Sequence, residues 1–278
     1  MRKSVVILSL ALLAACTGEP APAPEKLVIE GWIEDGAAPV VYVSTTLRVR
    51  EGEKIGKDDV QEHIVKWGKV TISDGTEEVI LTGTASERFF PPYAYTTGRM
   101  SGEVGKTYTI TVEYSGAVAT ASATIPPPAS LDGITPVPAG TEGEYYLRAT
   151  FTDNPATEDY YRFFTRIRDI DKVYLPASLG TLSDNMVVGG TGQIDLVPGG
   201  SIFHAESRSA FRSGETVDIK FCTMQESMYR YWNAFEEQFA LSRVPFFSLD
   251  ANLPGNVTGD GLGYFAAYGS TTYTVSIP

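Results

Sequence analysis

Cysteine is scarce in this chain of 278 residues, which contains only Cys16 and Cys222. If Cys16 is lipidated, as argued below, Cys222 has no partner, and an exported protein of this kind depends on its apolar core rather than on disulfides. Cys222 stands in the alternating run VDIKFCTM, which is typical of a strand. We therefore expect a buried, inert thiol and not a nucleophile.

Histidine is equally scarce, and the motifs of common enzyme classes are missing. The chain has no G-x-S-x-G, H-E-x-x-H or G-x-x-x-x-G-K-[ST] pattern. His63 lies in a charged loop and His204 in the run SIFHAE, which indicates a strand or its edge, so a metal site or a catalytic triad is not expected. Paired carboxylates of the glycosidase type stay open, because such acids come from distant strands. We expect no enzyme, and neither a metal nor another cofactor.

The calcium-loop pattern is matched only in part, at Asp250–Gly255. Pro254 supplies no side-chain oxygen at the fifth position of that pattern, and Gly261 stands where the bidentate glutamate should be. This segment is interpreted as a turn.

Long apolar runs are absent except for Val5–Ala15, which follows the basic pair Arg2 and Lys3. A run of about 11 residues is too short for a bilayer, which needs about 20, so residues 1–15 are interpreted as a signal peptide. The run ends in Leu-Ala-Ala-Cys, as in a bacterial lipobox. We expect cleavage after Ala15 and lipidation of Cys16, and a plain secretory site is the alternative.

Basic residues are too few to balance the acidic ones. The chain has 22 Lys and Arg against 34 Asp and Glu, a net charge of −12. Removing residues 1–15 takes away two basic residues and no acid, so the net charge falls to −14. Such a body repels phosphate backbones, so nucleic acid is not an expected partner.

One glycine-rich segment, GDGLGYFAAYGS at Gly259–Ser270, contains the dinucleotide-binding pattern G-x-G-x-x-G/A at residues 261–266. That pattern requires a strand before it, a helix after it and an acid about 20 residues further on. Here a turn-rich stretch precedes it, an alternating strand-like stretch follows it, and no such acid exists. No nucleotide is expected. The segment is interpreted as a loop entering a hairpin, with Gly269 and Ser270 near the turn.

The mature chain divides by composition into a tether and two β-rich domains. Residues 16–26 contain Pro20, Pro22 and Pro24 and are typical of an extended spacer. Residues 27–126 hold about seven strand-like runs, with hairpin turns at Asp74-Gly75 and Ser115-Gly116, which favours an immunoglobulin-like or transthyretin-like β-sandwich. The consecutive prolines at 126–128 mark the predicted boundary.

Residues 127–278 predict a second β-rich, barrel-like domain with one amphipathic helix near 225–241. The helix is indicated by apolar residues three and four apart, and Thr223 with Glu226 forms a predicted capping box. The sequence from about residue 171 to Pro198 is interpreted as loops. The expected apolar face of the helix comprises Met228, Tyr231, Trp232, Phe235 and Phe239.

An aromatic group on a proline-containing connection is the candidate partner surface. Phe89, Phe90, Tyr93 and Tyr95 flank Pro91-Pro92. Exposed aromatics on a rigid loop suit a protein partner or a sugar. Tyr93 and Tyr95 are therefore the predicted partner-binding residues, and the alternative is that they close one end of the sandwich core.

Six segments spread from about Lys26 to the C-terminus form a recognisable series: KLVIEGWIEDG, VTISDG, GEVGKTYTITVEYSG, ATIPPP, ATFTDNPATEDYYRFFTR and GDGLGYFAAYG. In this order they resemble a family of Bacteroidota outer-membrane lipoproteins, the domain of unknown function 4249. The resemblance implies two β-rich domains, lipid anchoring at the outer membrane and genes next to those of TonB-dependent receptors. It implies no catalytic residues. Only Glu19 supplies an acid between Cys16 and the prolines, so the leaflet stays open.

These observations together predict a non-enzymatic lipoprotein that binds a TonB-dependent transporter as an accessory protein. The alternative is a ligand-binding lipoprotein with a pocket for a glycan, peptide or other nutrient in the C-terminal β domain.

Overall fold

The computed structural model describes residues 25–47, 57–86, 91–187, 189–200, 208–241 and 253–278. The predictions for Ala15, Cys16, Phe89, Phe90 and His204 concern residues outside the described ranges and remain predictions. The same holds for the turn predicted at Asp250–Gly255, of which the first three residues are not described. No described helix is both long and apolar enough to cross a bilayer.

The chain is mainly β, as predicted, with two helices among the described residues. The helices are α1 (Lys57–Glu62) and α2 (Glu226–Leu241), with a 3-10 turn at Asp184–Met186. The strands in chain order are β1 (Leu27–Glu34), β2 (Val40–Thr45), β3 (Lys69–Ser73), β4 (Glu78–Ile80), β5 (Thr82–Ala85), β6 (Tyr93–Thr96), β7 (Thr107–Tyr114), β8 (Ala117–Thr124), β9 (Gly133–Pro138), β10 (Glu144–Thr152), β11 (Tyr160–Ile167), β12 (Leu175–Ser183), β13 (Thr191–Leu196), β14 (Phe211–Arg212), β15 (Thr216–Met224), β16 (Thr258–Gly259) and β17 (Gly261–Ser276).

An eight-stranded sheet runs through both halves of the chain in the order β12-β11-β15-β17-β1-β2-β6-β5, and we call it the long sheet. Its central strand β17 pairs in parallel with β1 through Gly261–Tyr268 and antiparallel with β15 through Gly269–Ser276. The predicted boundary after residue 126 stays a prediction. One strand nevertheless links the two halves.

One face of the long sheet packs against two smaller sheets and so builds two cores. In β1, Leu27, Ile29 and Ile33 alternate with residues that face the other way, as the period of two requires. Together with Val41 and Phe265 they pack on the five-stranded sheet β16-β8-β7-β3-β4. The opposite end of the long sheet packs on the four-stranded sheet built from β9, β10, β13 and β14. Members of this second core include Phe151, Tyr161, Phe163, Val217, Ile219 and Phe221.

The described sheets are open rather than barrel-like, because the two end strands of the long sheet, β12 and β5, do not pair with each other. The segment up to residue 198, interpreted as loops, instead forms β12 and β13. That interpretation was wrong because β13 is specified by pairing with the distant strand β10. Strand β12 follows β11 closely but is irregular, with a register shift opposite Arg162 and Phe164 and a positive φ of 54° at Leu179.

The glycine-rich segment forms a continuous strand, and the predicted turn at Gly269 and Ser270 was wrong. Both residues lie inside β17, where they pair with Thr223 and Cys222. A Cβ at Gly269 would lie 2.2 Å from the carbonyl oxygen of Pro126, because the proline linker crosses the sheet there. This glycine therefore permits close approach of two backbones.

Helix α2 is confirmed, but its predicted capping box is not formed. Thr223 still belongs to β15, and its hydroxyl donates to the carbonyl oxygen of Pro127 at 2.7 Å. The helix begins only at Glu226. The strand extends to Met224 and thereby removes Thr223 from the N-cap position.

Candidate functional site

The two predicted partner-binding tyrosines lie next to each other but differ in burial. Tyr95 is buried, its hydroxyl donates to the carbonyl oxygen of Val65 at 2.8 Å and accepts from the amide of Gly68 at 3.0 Å. Tyr93 is only partly buried and donates to the carbonyl oxygen of Lys66 at 2.9 Å. Tyr95 thus belongs to the core and offers no surface to a partner. A role for Tyr93 stays a prediction.

The described residues contain no group of three or more His, Cys, Asp and Glu side chains that could hold a metal ion. His63 lies just after α1 and its ring Nδ1 is 2.9 Å from the hydroxyl of Thr45. Cys222 is a free, fully buried thiol as predicted, and burial raises its pKa well above the usual range. Burial and the raised pKa both disfavour the thiolate form, which is the nucleophilic one.

Helix α2 covers the second face of the long sheet, on the side away from the two cores. Trp232 is buried, and its indole Nε1 donates to the hydroxyl of Tyr268 at 2.8 Å. Beneath it lies Arg162 of β11, which is 1 % exposed, pairs with Glu236 of α2 and donates to Thr181 at 2.7 Å. The guanidinium carbon lies 4.4 Å from the Trp232 ring centroid. A buried cation thus fixes the position of the helix on the sheet.

The same face continues beyond the helix as a line of ion pairs. Buried Asp218 accepts from Arg166 and Arg168 at 2.7 and 2.8 Å and from the hydroxyl of Thr274 at 2.7 Å. These donors, Arg168 first, hold the pKa of the Asp218 carboxyl well below its usual range. A group with a depressed folded-state pKa stabilises the fold above its unfolded-state pKa of about 3.9, and this contribution is lost as the pH falls further.

We therefore expect Asp218→Asn to be less stable than the parent protein at pH 7, with the difference shrinking as the pH is lowered from 4 to 2. Urea unfolding at a series of pH values measures this. Asp195→Asn is the matched control, because that carboxylate forms a more exposed pair with Arg148 and should contribute little. A stability difference that stays constant across the pH series would contradict the assignment.

A carboxylate surrounded by aromatic residues lies on this face where β1, β2 and β17 meet. Glu30 pairs across the sheet with Tyr42 on one side and Tyr264 on the other. The Tyr264 hydroxyl donates to Glu30 Oε1 at 2.9 Å and is hydrogen-bonded to Tyr231 of α2. Trp32 stands on the same face, with its ring centroid 5.8 Å from that of Tyr42. We call these five residues the Glu30 cluster.

The Glu30 side chain is accessible from solvent, while its neighbours Tyr42 and Tyr264 are buried. Burial nevertheless raises the pKa of the Glu30 carboxyl, since the protein crowds it on several sides. Solvent therefore reaches this carboxylate, although protein atoms surround it on several sides. The described residues include no Lys or Arg that forms an ion pair with it.

A second surface lies where the chain passes from α1 to β3, around the most exposed large apolar side chain among the described residues. Trp67 is 91 % exposed. It borders an open depression of about 440 Å³, which we call the Trp67 surface. The depression is lined by Asp58, Gln61, Glu62, Ile64, Lys66, Trp67 and Tyr114.

The Trp67 surface adjoins the point where the chain enters the fold. The amide of Thr46 donates to the carbonyl oxygen of Lys26 at 2.9 Å, and Glu25 Oε1 lies 3.7 Å from His63 Nδ1 at the end of α1. Residues 25 and 26 therefore lie beside the helix whose side chains line the depression. Sequence patterns did not indicate Trp67, because a single tryptophan between Lys66 and Gly68 has no periodic context that reports its exposure.

A family model described as "Domain of unknown function (DUF4249)" matches residues 17–274. The chain belongs to this family. The match spans both halves of the chain and most of β17, so the Glu30 cluster and the Trp67 surface both lie within the family's domain. A search of curated proteins found no match.

Proposed function

We propose that this protein is a lipid-anchored, non-enzymatic accessory protein that binds a TonB-dependent transporter at the outer membrane. The observation that carries the proposal is the exposure of Trp67, at 91 %, beside the entry point of the chain. Large exposed aromatics at the rim of a depression are typical of the anchor residues of protein interfaces. The resemblance to lipoproteins encoded beside such receptors supports the choice of partner.

The tether determines where the Trp67 surface would lie in the cell. If Cys16 carries the acyl chains, residues 17–26 bridge from the membrane to Lys26, and about ten extended residues span about 30 Å. Residues 25 and 26 adjoin α1, so with such an anchor the end of the fold nearest the membrane would carry Trp67. This supports a contact between the Trp67 surface and the rim of a neighbouring membrane protein.

The charge of the Trp67 surface favours a protein partner over the membrane itself. Asp58 and Glu62 line the depression together with one basic residue, Lys66. Acidic groups are repelled by anionic head groups, whereas they complement a partner that presents basic residues around an apolar pocket.

Affinity purification of the tagged protein from its native membrane in mild detergent is expected to recover a TonB-dependent receptor. Trp67→Ala should reduce the recovered receptor by about tenfold or more, the scale of an interface anchor. Ile170→Ala is the matched control, since that side chain is 58 % exposed and lies in the other half of the chain.

Cys16→Ser should shift the protein out of the membrane fraction.

Two outcomes would refute the proposal. Purification of the protein alone, together with unchanged uptake in a deletion strain, would remove the accessory role. Equal receptor recovery with Trp67→Ala and with Ile170→Ala would instead show that the partner binds elsewhere, and Tyr93 would become the next residue to test.

The second candidate function is ligand binding, and the Glu30 cluster is the observation that favours it. An accessible carboxylate among four aromatic side chains has the mixed composition of small-molecule sites, in which apolar walls surround a few polar groups. The cluster joins β1 and β2 to β17 and α2, so the site would belong to both halves of the chain and not to the C-terminal half alone.

A further inference from the structure

We propose that the Glu30 cluster is a binding site for a cationic group, namely the ammonium or guanidinium of a peptide side chain. The inference rests on the second candidate function, ligand binding, and it is independent of the pairing with a transporter.

The first argument concerns the charge of Glu30. One of its oxygens accepts from the Tyr264 hydroxyl at 2.9 Å, and no ion pair with a described Lys or Arg compensates its charge. Other acids on this face are paired, as Glu34 is with Lys220 at 2.6 Å and Asp218 with Arg166 at 2.7 Å. A carboxylate that is crowded by protein and lacks a counter-charge gains most from a cation supplied from outside.

The second argument concerns the neighbours of the carboxylate. Trp32 and Tyr42 stand on one side, and Tyr264 with Tyr231 stands on the other, where the last two rings are 4.2 Å apart. The faces of tryptophan and tyrosine rings attract cations, and groups of such rings recognise ammonium ions. A carboxylate and several aromatic rings therefore select the same chemistry, a cation with an apolar stem.

The third argument concerns access and rigidity. Leu262, which pairs with Val28 next to the cluster, is 47 % exposed, so the approach is bordered by an apolar residue. Tyr42 and Tyr264 are held by strand pairing and Tyr231 by the helix. A site that is held in place before the ligand arrives loses little entropy on binding.

The same face of the long sheet contains a similar group of side chains in which the cation belongs to the chain itself. Lys220 is paired with Glu34, and its ammonium lies 4.6 Å from the ring centroid of Tyr174. There a lysine, a carboxylate and an aromatic ring already form a complete arrangement within the chain. The Glu30 cluster has the carboxylate and the rings, and a ligand would supply the cation.

The test is isothermal titration of the purified protein with the tripeptide Gly-Lys-Gly and with its Nε-acetylated form. We expect saturable binding of the first and at least about a tenfold weaker affinity for the second, which lacks the charge. Glu30→Gln should lose the preference for the charged peptide. Glu77→Gln is the control, since Glu77 forms an exposed pair with Arg99 in the first sandwich.

Unchanged thermal unfolding of Glu30→Gln would show that the fold is intact. Trp32→Leu is a second variant, which retains the carboxylate but removes one ring and should weaken binding of the charged peptide. Absence of saturable binding, equal binding of both peptides, or undiminished binding by Glu30→Gln would each overturn the proposal. Binding of a neutral methyl glycoside in place of the peptide would overturn it too. Receptor recovery by Glu30→Gln tests the transporter pairing separately and should be unchanged.

Discussion

Replacing Glu236 by alanine is expected to lower the free energy of unfolding by about 3–5 kcal/mol, the cost of leaving a buried charge without its partner. The charge is that of Arg162, which is 1 % exposed and keeps only Thr181 as a hydrogen-bonding side chain in the variant. Desolvation already lowers the pKa of this arginine, and Glu236 is the carboxylate that compensates its charge.

Chemical denaturation of Glu236→Ala beside Glu237→Ala measures the effect. Glu237 is the next residue of α2 and is exposed, so its removal should change stability by no more than about 0.5 kcal/mol. The double variant Arg162→Met, Glu236→Leu should recover most of the loss, because paired burial of two apolar groups avoids the desolvation cost. A loss below about 1 kcal/mol in Glu236→Ala would mean that water reaches Arg162.

Trp232→Ala is expected to cost about 3–5 kcal/mol, as for other large aromatic side chains removed from a core. The indole is 7 % exposed, donates to the Tyr268 hydroxyl at 2.8 Å and covers the guanidinium of Arg162 at 4.4 Å. Its loss therefore removes packing, a buried hydrogen bond and a cation–π contact together.

The chain supplies a matched control, because Trp67 is the same residue type at 91 % exposure. Trp67→Ala should change the unfolding midpoint little, and Trp232→Phe should lie between the parent and Trp232→Ala, since it keeps most of the packing. If Trp67→Ala and Trp232→Ala have the same free energy of unfolding as each other, α2 does not pack on the sheet in solution.

Helix α2 shows what the sequence could predict and where such prediction ends. Apolar residues three and four apart are a local pattern, so Tyr231 and Trp232 identified the helix and its buried face. Arg162 gave no comparable indication. It stands in a strand-like run where alternation places charged residues towards solvent, and only the distant helix makes that face interior.

For the candidate sites, too, local sequence patterns indicated single segments but not the contacts between distant segments. The predicted aromatic group led to Tyr93 and Tyr95, but burial of Tyr95 depends on Val65 and Gly68, about 30 residues earlier in the chain. The Glu30 cluster combines β1, β2, α2 and β17, so no short motif contains it. Patterns of one segment indicate elements, whereas sites assembled from four segments require the topology.

Strand β17 also determines the order in which the molecule can be assembled. Tyr264 of β17 contacts Glu30 of β1 across 234 positions of sequence. Strand β1 therefore cannot pair with its parallel partner until nearly the whole chain has been synthesised. Contacts between such distant segments form slowly, since a long loop must close first. During synthesis from the N-terminus, the edges of β1 and β15 therefore stay unpaired until β17 is made. Pairing of β17 then completes both cores. Because β17 pairs with both β1 and β15, the loss or mispairing of this one strand would leave both cores incomplete.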